Sequence, residues 1–183
     1  MEETEKKKDY NEETRVFKIF KEAIPYLIII GIVILIRTFI ATPVRVNGDS
    51  MHPYLKEGEV LILNKMDKSY DRFDIVVINS NGTKIIKRVI GLPGESIAYK
   101  DCKLYIDDKE VEDFVGRCNT DDFSLEKLYN YAIIPEGYYF VMGDNRRNSS
   151  DSRDLRVGLI SKSQIQGTTS IRLYPFNRMG KLD

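Results

Sequence analysis

Two residues of this chain of 183 have the types needed for nucleophilic hydrolysis, and they lie in different surroundings. Ser50 lies in the turn-rich segment 48–53, and Lys87 lies in the apolar segment 85–90. A serine hydroxyl is a weak nucleophile that needs a base, and a lysine can be that base only as a neutral amine. Because the ordinary pKa of lysine is about 10.4, burial would have to lower it by a few units for use near pH 7.

The strand pattern around Lys87 favours such a shift. Side chains alternate between the faces of a strand, so Lys87 shares a face with Ile85 and Val89, whereas Arg88 points to the opposite face. No acidic residue adjoins Lys87, and desolvation by apolar neighbours would favour the neutral amine. Taken alone, Lys87 could equally be a lysine on an edge strand that prevents aggregation. Ser50, taken alone, could equally be a serine of a surface turn.

The composition excludes other classes of site. Lys and Arg number 28, as do Asp and Glu, so the basic surplus of a nucleic-acid-binding domain is missing and we expect no nucleic-acid partner. With a single histidine, no Cys/His cluster has metal-ligand spacing, and we expect neither a metal nor a cofactor. Cys102 and Cys118 would form a disulfide outside the cytoplasm or remain two free thiols, and their spacing leaves both options open.

The N-terminal part predicts a membrane anchor. Residues 1–22 form a charged tail, and residues 23–42 form an apolar segment close to the roughly 20 residues that a spanning helix needs. A buried core helix and a cleaved signal peptide are the alternatives, but the first would need cover on all sides and the second lacks a small-x-small site. Since Lys and Arg are more frequent before the span than just after it, we expect a cytoplasmic N-terminus and an extracytoplasmic domain over residues 43–183 of a single-pass cell-membrane protein.

Residues 43–183 predict a mostly β domain. Short apolar runs between turn signals predict strands over residues 60–63, 74–78, 83–90, 96–99, 103–106, 138–142 and 167–173. An Asn-Gly turn within residues 79–82 joins two of them, and a short helix capped by Asp122 is expected over residues 122–131. Many strands and little helix predict an antiparallel β-sheet domain.

Four sequence blocks behind the anchor carry a family resemblance. They are residues 46–55, 87–95, 143–153 and 172–180. The first has a Ser-Met-x-Pro-x-Leu core, the second begins Lys-Arg-Val-Ile-Gly, and the third reads Gly-Asp-Asn-Arg and then Asn-Ser-x-Asp-Ser-Arg. Together they resemble the type I signal peptidases, the membrane-bound serine proteases that remove signal peptides, in the compact form found in Gram-positive bacteria. The resemblance runs from about residue 20 to residue 180.

The resemblance implies a role for each matching residue. Ser50 would be the nucleophile and Lys87 the general base, on an antiparallel β-sheet catalytic domain preceded by one transmembrane helix. Ser149 would orient the Lys87 amine. The other supporting residues would be Asp151 and Arg153 as an ion pair, Met51 beside the nucleophile, and Gly143, Asp144 and Asn145 in a supporting turn. Gly48 stands where some members have a second, serine hydroxyl donor for the oxyanion.

The resemblance also implies the substrates. Secretory preproteins would bind as an extended strand, with small side chains at positions −1 and −3 of an Ala-x-Ala-like site, next to the lipid bilayer. The shallow apolar pockets would be lined by Val44, Val46, Leu55 and Ile86. The oligomeric state does not follow from the sequence.

Three rival interpretations are weaker. The self-cleaving SOS-response repressors share a serine-lysine pair but have a DNA-binding helix-turn-helix in place of the anchor. A catalytically inactive, membrane-tethered relative that binds preproteins would have lost Ser50 or Lys87. A triad would have to use His52, which is too close to Ser50 in sequence to act readily as its base, so we expect His52 to be an exposed loop residue.

Overall fold

The computed structural model describes residues 2–80, 82–115 and 119–182, with side chains from residue 18 onward. The chain divides after Ile40 into two units. The first is helix α1 (Glu2–Leu35), continued by a π-helical turn, Ile36–Ile40. Within it, the 23-residue segment Lys18–Ile40 has a mean hydropathy of 2.4 and is long and apolar enough to cross a membrane.

The second unit is built almost entirely from antiparallel strands. In chain order they are β1 (Ala41–Arg45), β2 (Val60–Asn64), β3 (Ile75–Ser80), β4 (Thr83–Gly91), β5 (Ile97–Lys100), β6 (Lys103–Ile106), β7 (Lys109–Val111), β8 (Phe123–Ser124), β9 (Tyr138–Met142), β10 (Ile160–Ser161), β11 (Ile165–Tyr174) and β12 (Gly180–Lys181). Helix α2 (Leu125–Tyr129) lies between β8 and β9. The large sheet has the order β1-β2-β11-β3-β4-β9-β10, with β12 beside β11, and the small sheet has the order β7-β6-β5-β8.

Apolar side chains on both faces fix the centre of the large sheet. On β3, Val77 packs into one buried cluster with Leu61 and Leu63 of β2, whereas Val76 packs into another on the opposite face. A strand buried on both faces reads as a continuous apolar run, as β3 does. Each such buried side chain contributes on the order of 1.5–3 kcal/mol, so these two clusters hold the frame on which β4 presents Lys87.

All seven predicted strands are present, with ends that differ from the prediction by at most two residues. The predicted helix is shorter than expected, and its cap was wrong: Ser124, not Asp122, accepts a hydrogen bond from the Lys127 N–H at 3.2 Å. The reason is that β8 pairs with β5, so the helix begins only after Ser124. The Asp122 carboxylate instead accepts from the Asp101 N–H.

Two further segments bear on the sequence predictions. In the turn after β3, the Asn79 side-chain oxygen accepts a hydrogen bond from the Gly82 N–H at 3.1 Å, and Asn81 lies outside the described residues. The pattern did not predict β1, because Pro43 inside it is unusual for a strand. Since β1 pairs only with β2 among the described strands, this proline lies at a sheet edge, where it is tolerated.

Candidate active site

Buried side chains and hydrogen bonds hold the loop that carries Ser50 in place. Met51 and Leu55 are fully buried, and the Leu55 N–H donates to the Met51 carbonyl at 2.9 Å. The Asn145 N–H donates to the Ser50 carbonyl at 3.0 Å, and the Asn145 side-chain amide donates to the Asp49 carbonyl at 3.1 Å. Ser50 itself is half-buried, so its hydroxyl lies on a fixed loop within reach of solvent.

Lys87 is buried in β4 and has one side-chain partner that defines its position. Its exposed fraction is 3%, and its Nζ donates to Ser149 Oγ at 3.1 Å. Directly opposite on β3 lies the fully buried Val76. Burial lowers the pKa of Lys87 to about 8, with the Asp151 carboxylate opposing the shift and the Arg153 guanidinium adding to it.

Gly143, which follows β9, brings the three groups together. A Cβ at this position would lie 2.2 Å from Ser149 Oγ and 2.4 Å from the Ser50 carbonyl oxygen. These two atoms are therefore within about 5 Å of each other, and Ser149 in turn contacts the Lys87 amine. The absence of a side chain at residue 143 lets Ser50, Lys87 and Ser149 converge.

A buried carboxylate holds the loop after β9 in place. Asp151 is fully buried and accepts from the Gly143 N–H at 2.9 Å. Arg153 donates to both Asp151 oxygens, each at 2.8 Å, so the predicted ion pair is present. Ser152 closes the loop onto β9, because its N–H donates to the Val141 carbonyl and its hydroxyl accepts from the Val141 N–H.

Asp144 is anchored by Arg88, the neighbour of Lys87 on β4. The Arg88 guanidinium donates to both Asp144 oxygens, at 2.9 and 2.7 Å, and both side chains are almost completely buried. Lys87 and Arg88 point to opposite faces of β4, yet both bind the loop after β9. One strand therefore fixes the base and the loop that orients it.

Two residues that the sequence did not mark complete this frame. Asp113 forms an ion pair with Arg146, whose third guanidinium nitrogen, Nε, donates to the Gly143 carbonyl at 3.2 Å. Phe114 covers Arg88, with 3.7 Å between the guanidinium carbon and the ring centre. Asp113 and Phe114 lie in a loop far from these partners in sequence, and nothing in the local pattern could have found them.

The apolar residues expected to bind substrate lie in two layers. Val44 and Ile86 line a cavity of about 260 Å³, together with Pro43, Arg45, Asn47, Val77 and Lys84. Val46 and Leu55 are almost fully buried beneath them, in the cluster that also contains Val44. Of the four residues expected to bind substrate, Val44 and Ile86 are therefore the two that a ligand in this cavity would touch.

The remaining polar candidates are placed as follows. His52 is exposed and lines a different, larger cavity. Cys102 is disulfide-bonded, and Cys118, the other cysteine of the sequence, lies outside the described residues. Within residues 2–80, 82–115 and 119–182, no group of three or more His, Cys, Asp and Glu is arranged to hold a metal ion.

Comparisons with known proteins agree on one family. The family model described as signal peptidase, peptidase S26, matches residues 19–174. Signal peptidase I S of Bacillus subtilis (strain 168) is 42% identical over 170 residues, covering 85% of this chain and 89% of that protein. Signal peptidase I of Streptococcus pneumoniae serotype 4 (strain ATCC BAA-334 / TIGR4) is 37% identical over 192 residues, covering 85% and 93%.

A solved structure gives the same result. The crystal structure of a signal peptidase I from Enterococcus faecalis V583 aligns with a TM-score of 0.51 at 37% identity, covering 55% of this chain and 96% of that one. The chain belongs to the signal peptidase family, peptidase S26, and is of the bacterial type I kind. It is a serine peptidase that removes signal peptides from secretory preproteins, and its N-terminal apolar helix is consistent with a membrane-anchored protein.

Proposed function

We propose that Ser50 is the nucleophile and Lys87 the general base of this peptidase. The observation that carries the proposal is the close approach at Gly143, which places Ser149 Oγ beside both the Ser50 backbone and the Lys87 amine. A neutral Lys87 takes the proton from Ser50 Oγ as this oxygen attacks the scissile carbonyl. The Ser50 N–H stabilises the oxyanion, a contribution of roughly 3 kcal/mol for one donor in other hydrolases.

The same two groups complete the reaction. The Lys87 ammonium gives its proton to the leaving amine, and the neutral amine then activates the water that hydrolyses the acyl-enzyme. Ser149 orients the amine throughout. Asp151 with Arg153, and Asp144 with Asn145, hold the loop, while Met51 is the buried anchor next to the nucleophile.

The substrate binds as an extended strand between two unpaired edges. Among the described strands, β1 pairs only with β2, and β4 pairs with β9 only from Arg88 onward, so its first half is open on that side. The backbone there offers hydrogen bonds to an added strand. Val44 and Ile86 receive the small side chains at positions −1 and −3, over the floor formed by Val46 and Leu55.

The membrane arrangement completes the proposal. Residues 1–22 are a cytoplasmic tail, residues 23–42 span the cell membrane and residues 43–183 are the extracytoplasmic peptidase. The 23-residue apolar helical segment and the excess of Lys and Arg before it support this topology. No observation in the described structure favours the inactive preprotein-binding alternative.

Cleavage of a secretory preprotein with an Ala-x-Ala site, by the full-length protein in detergent, tests this function. We expect one cut, directly after the second alanine, identified by the mass of the mature product. Changing the −1 alanine to leucine should reduce kcat/KM by at least about a hundredfold, because overfilling a small packed pocket costs roughly 1–3 kcal/mol and also displaces the scissile carbonyl. Equal cleavage of both substrates would contradict the proposed pocket, and no cleavage of either would contradict the peptidase.

The pH dependence of the reaction follows from Lys87. Only the neutral amine accepts a proton, and its pKa is about 8, so kcat/KM should rise about tenfold per pH unit below pH 8 and level off above it. At pH 7 about a tenth of the molecules would be active, against fewer than one in about a thousand for an unshifted lysine. Rates measured from pH 6 to pH 10 with one preprotein check this profile, and a rate that falls between pH 7 and pH 8 would contradict it.

A further inference from the structure

A second cavity, of about 680 Å³, opens beside the nucleophile loop, and apart from Asp144 and Asn145 the proposed chemistry does not use its lining residues. Its walls come from four places: the nucleophile loop, the loop after β9, the loop around Phe114 and the C-terminal segment. The polar and aromatic residues that matter here are His52, Tyr54, Asn145, Arg172, Arg178 and Lys181.

Residues on the two sides of Ser50 in the sequence line the two different cavities. Asn47, three residues before Ser50, lines the smaller cavity, and His52, two residues after it, lines the larger. Asn145, whose N–H donates to the Ser50 carbonyl, also lines the larger cavity. A peptide with its scissile carbonyl at Ser50 must leave the nucleophile in two directions. Since the small cavity takes the acyl side, the large one is left for the other side.

The lining of the large cavity is positively charged. Its described residues include three cations, Arg172, Arg178 and Lys181, and one carboxylate, that of Asp144, which Arg88 already binds through both oxygens. Behind the wall, the buried Glu59 pairs with Arg172 at 2.9 Å and with Arg178 at 2.5 Å, so one carboxylate offsets two guanidiniums. Lys181, which also lines the cavity, is exposed to solvent.

We propose that this cavity binds the part of the preprotein on the C-terminal side of the cut, and that it favours an acidic side chain there over a basic one. The proposal rests on the proposed function, because it needs Ser50 as the point of attack. Arg178 and Lys181 attract a carboxylate and repel an ammonium, while Tyr54 supplies apolar contact for the chain between them.

The test compares three preproteins that differ only at the second residue after the cut, which is Asp, Gln or Lys. For the full-length protein in an uncharged detergent, kcat/KM should be highest for Asp and lowest for Lys. Each exposed charge pair between substrate and cavity is expected to change kcat/KM by about twofold to fivefold. Lys181→Glu should reduce or reverse the ratio of Asp to Lys substrates, and Lys181→Gln should give an intermediate ratio. The matched control is Lys162→Glu, an exposed lysine next to β10, which should leave the ratio as in the wild type.

The outcomes separate this proposal from the proposed function. Efficient cleavage of the Gln substrate with equal rates for Asp and Lys would overturn the cavity assignment and leave the peptidase intact. An equal change in the ratio of kcat/KM for the Asp and Lys substrates in Lys162→Glu and Lys181→Glu would also overturn the cavity assignment. Only the net charge of the protein would then control the rates. A Lys181→Glu effect that appears only when vesicles of anionic phospholipid are added, whichever substrate is used, would assign the cations to a lipid headgroup and also overturn it. If none of the three substrates is cleaved, the proposed function itself is contradicted.

Discussion

Replacing Lys87 with methionine should lower kcat for preprotein cleavage about a thousandfold, because a general base contributes roughly 10²–10⁴ and Lys87 is the base that contacts Ser149 in the described structure. Ser50→Ala should cause a loss of the same order. Since the two groups act as one unit, the double variant should be no slower than the slower single variant. Methionine fills most of the space of the lysine stem, so the buried site keeps its packing while it loses the amine.

Single-turnover rates of wild type, Ser50→Ala, Lys87→Met and the double variant make this measurement, with thermal melts to confirm that each protein is folded. His52→Ala is the control for the other conceivable base. His52 is exposed and lines the larger cavity, where it would contact the substrate without taking the Ser50 proton, so the loss in kcat should be small beside that of Lys87→Met. An inactive His52→Ala together with an active Lys87→Met would mean that Lys87 is not the base.

The sequence alone marked the three residues that we propose for the reaction, but it did not mark all of the residues that hold them in place. Ser50, Lys87 and Ser149 lie in short blocks with recognisable residue types and spacing, and such blocks can be read from the sequence. The Arg88–Asp144 and Asp113–Arg146 pairs join segments 56 and 33 residues apart, and charge at the surface of a β protein gives no sign of its partner. Only the three-dimensional arrangement could show that both neighbours Lys87 and Arg88 bind the same loop.

For the fold as well, features with a local sequence pattern were predicted, whereas features that depend on tertiary contacts were not. Strands with buried residues, such as β3, gave clear apolar runs and were predicted within one or two residues of their observed ends. The short strand β8 and the edge strand β1 were not predicted, because their pairing depends on tertiary contacts and not on local propensity. The wrong helix cap at Asp122 has the same origin, since pairing of β8 with β5 decides where α2 begins.

Gly143→Ala should be the most damaging substitution apart from those at Ser50 and Lys87, the two residues proposed for catalysis. The new Cβ would lie 2.4 Å from the Ser50 carbonyl, a backbone atom that cannot rotate away, and 2.2 Å from Ser149 Oγ. Either the nucleophile loop moves or Ser149 leaves the Lys87 amine, and a shift of about 1 Å in such a site typically costs about a hundredfold in rate. We therefore expect kcat to fall by at least that factor, with a stability loss of about 1–3 kcal/mol from overpacking.

Gly91→Ala is the matched control, because Gly91 ends β4, the strand that carries Lys87, and is also crowded. Its Cβ would lie 2.4 Å from Ile134 Cδ1, the far end of a flexible side chain that can rotate. The structure records neither glycine with a positive φ, so backbone strain does not separate the two variants. Both should melt at lower temperature than wild type, but only Gly143→Ala should lose kcat. Equal loss of kcat in both variants would show that general destabilisation of the sheet, and not the close approach at Gly143, controls the site.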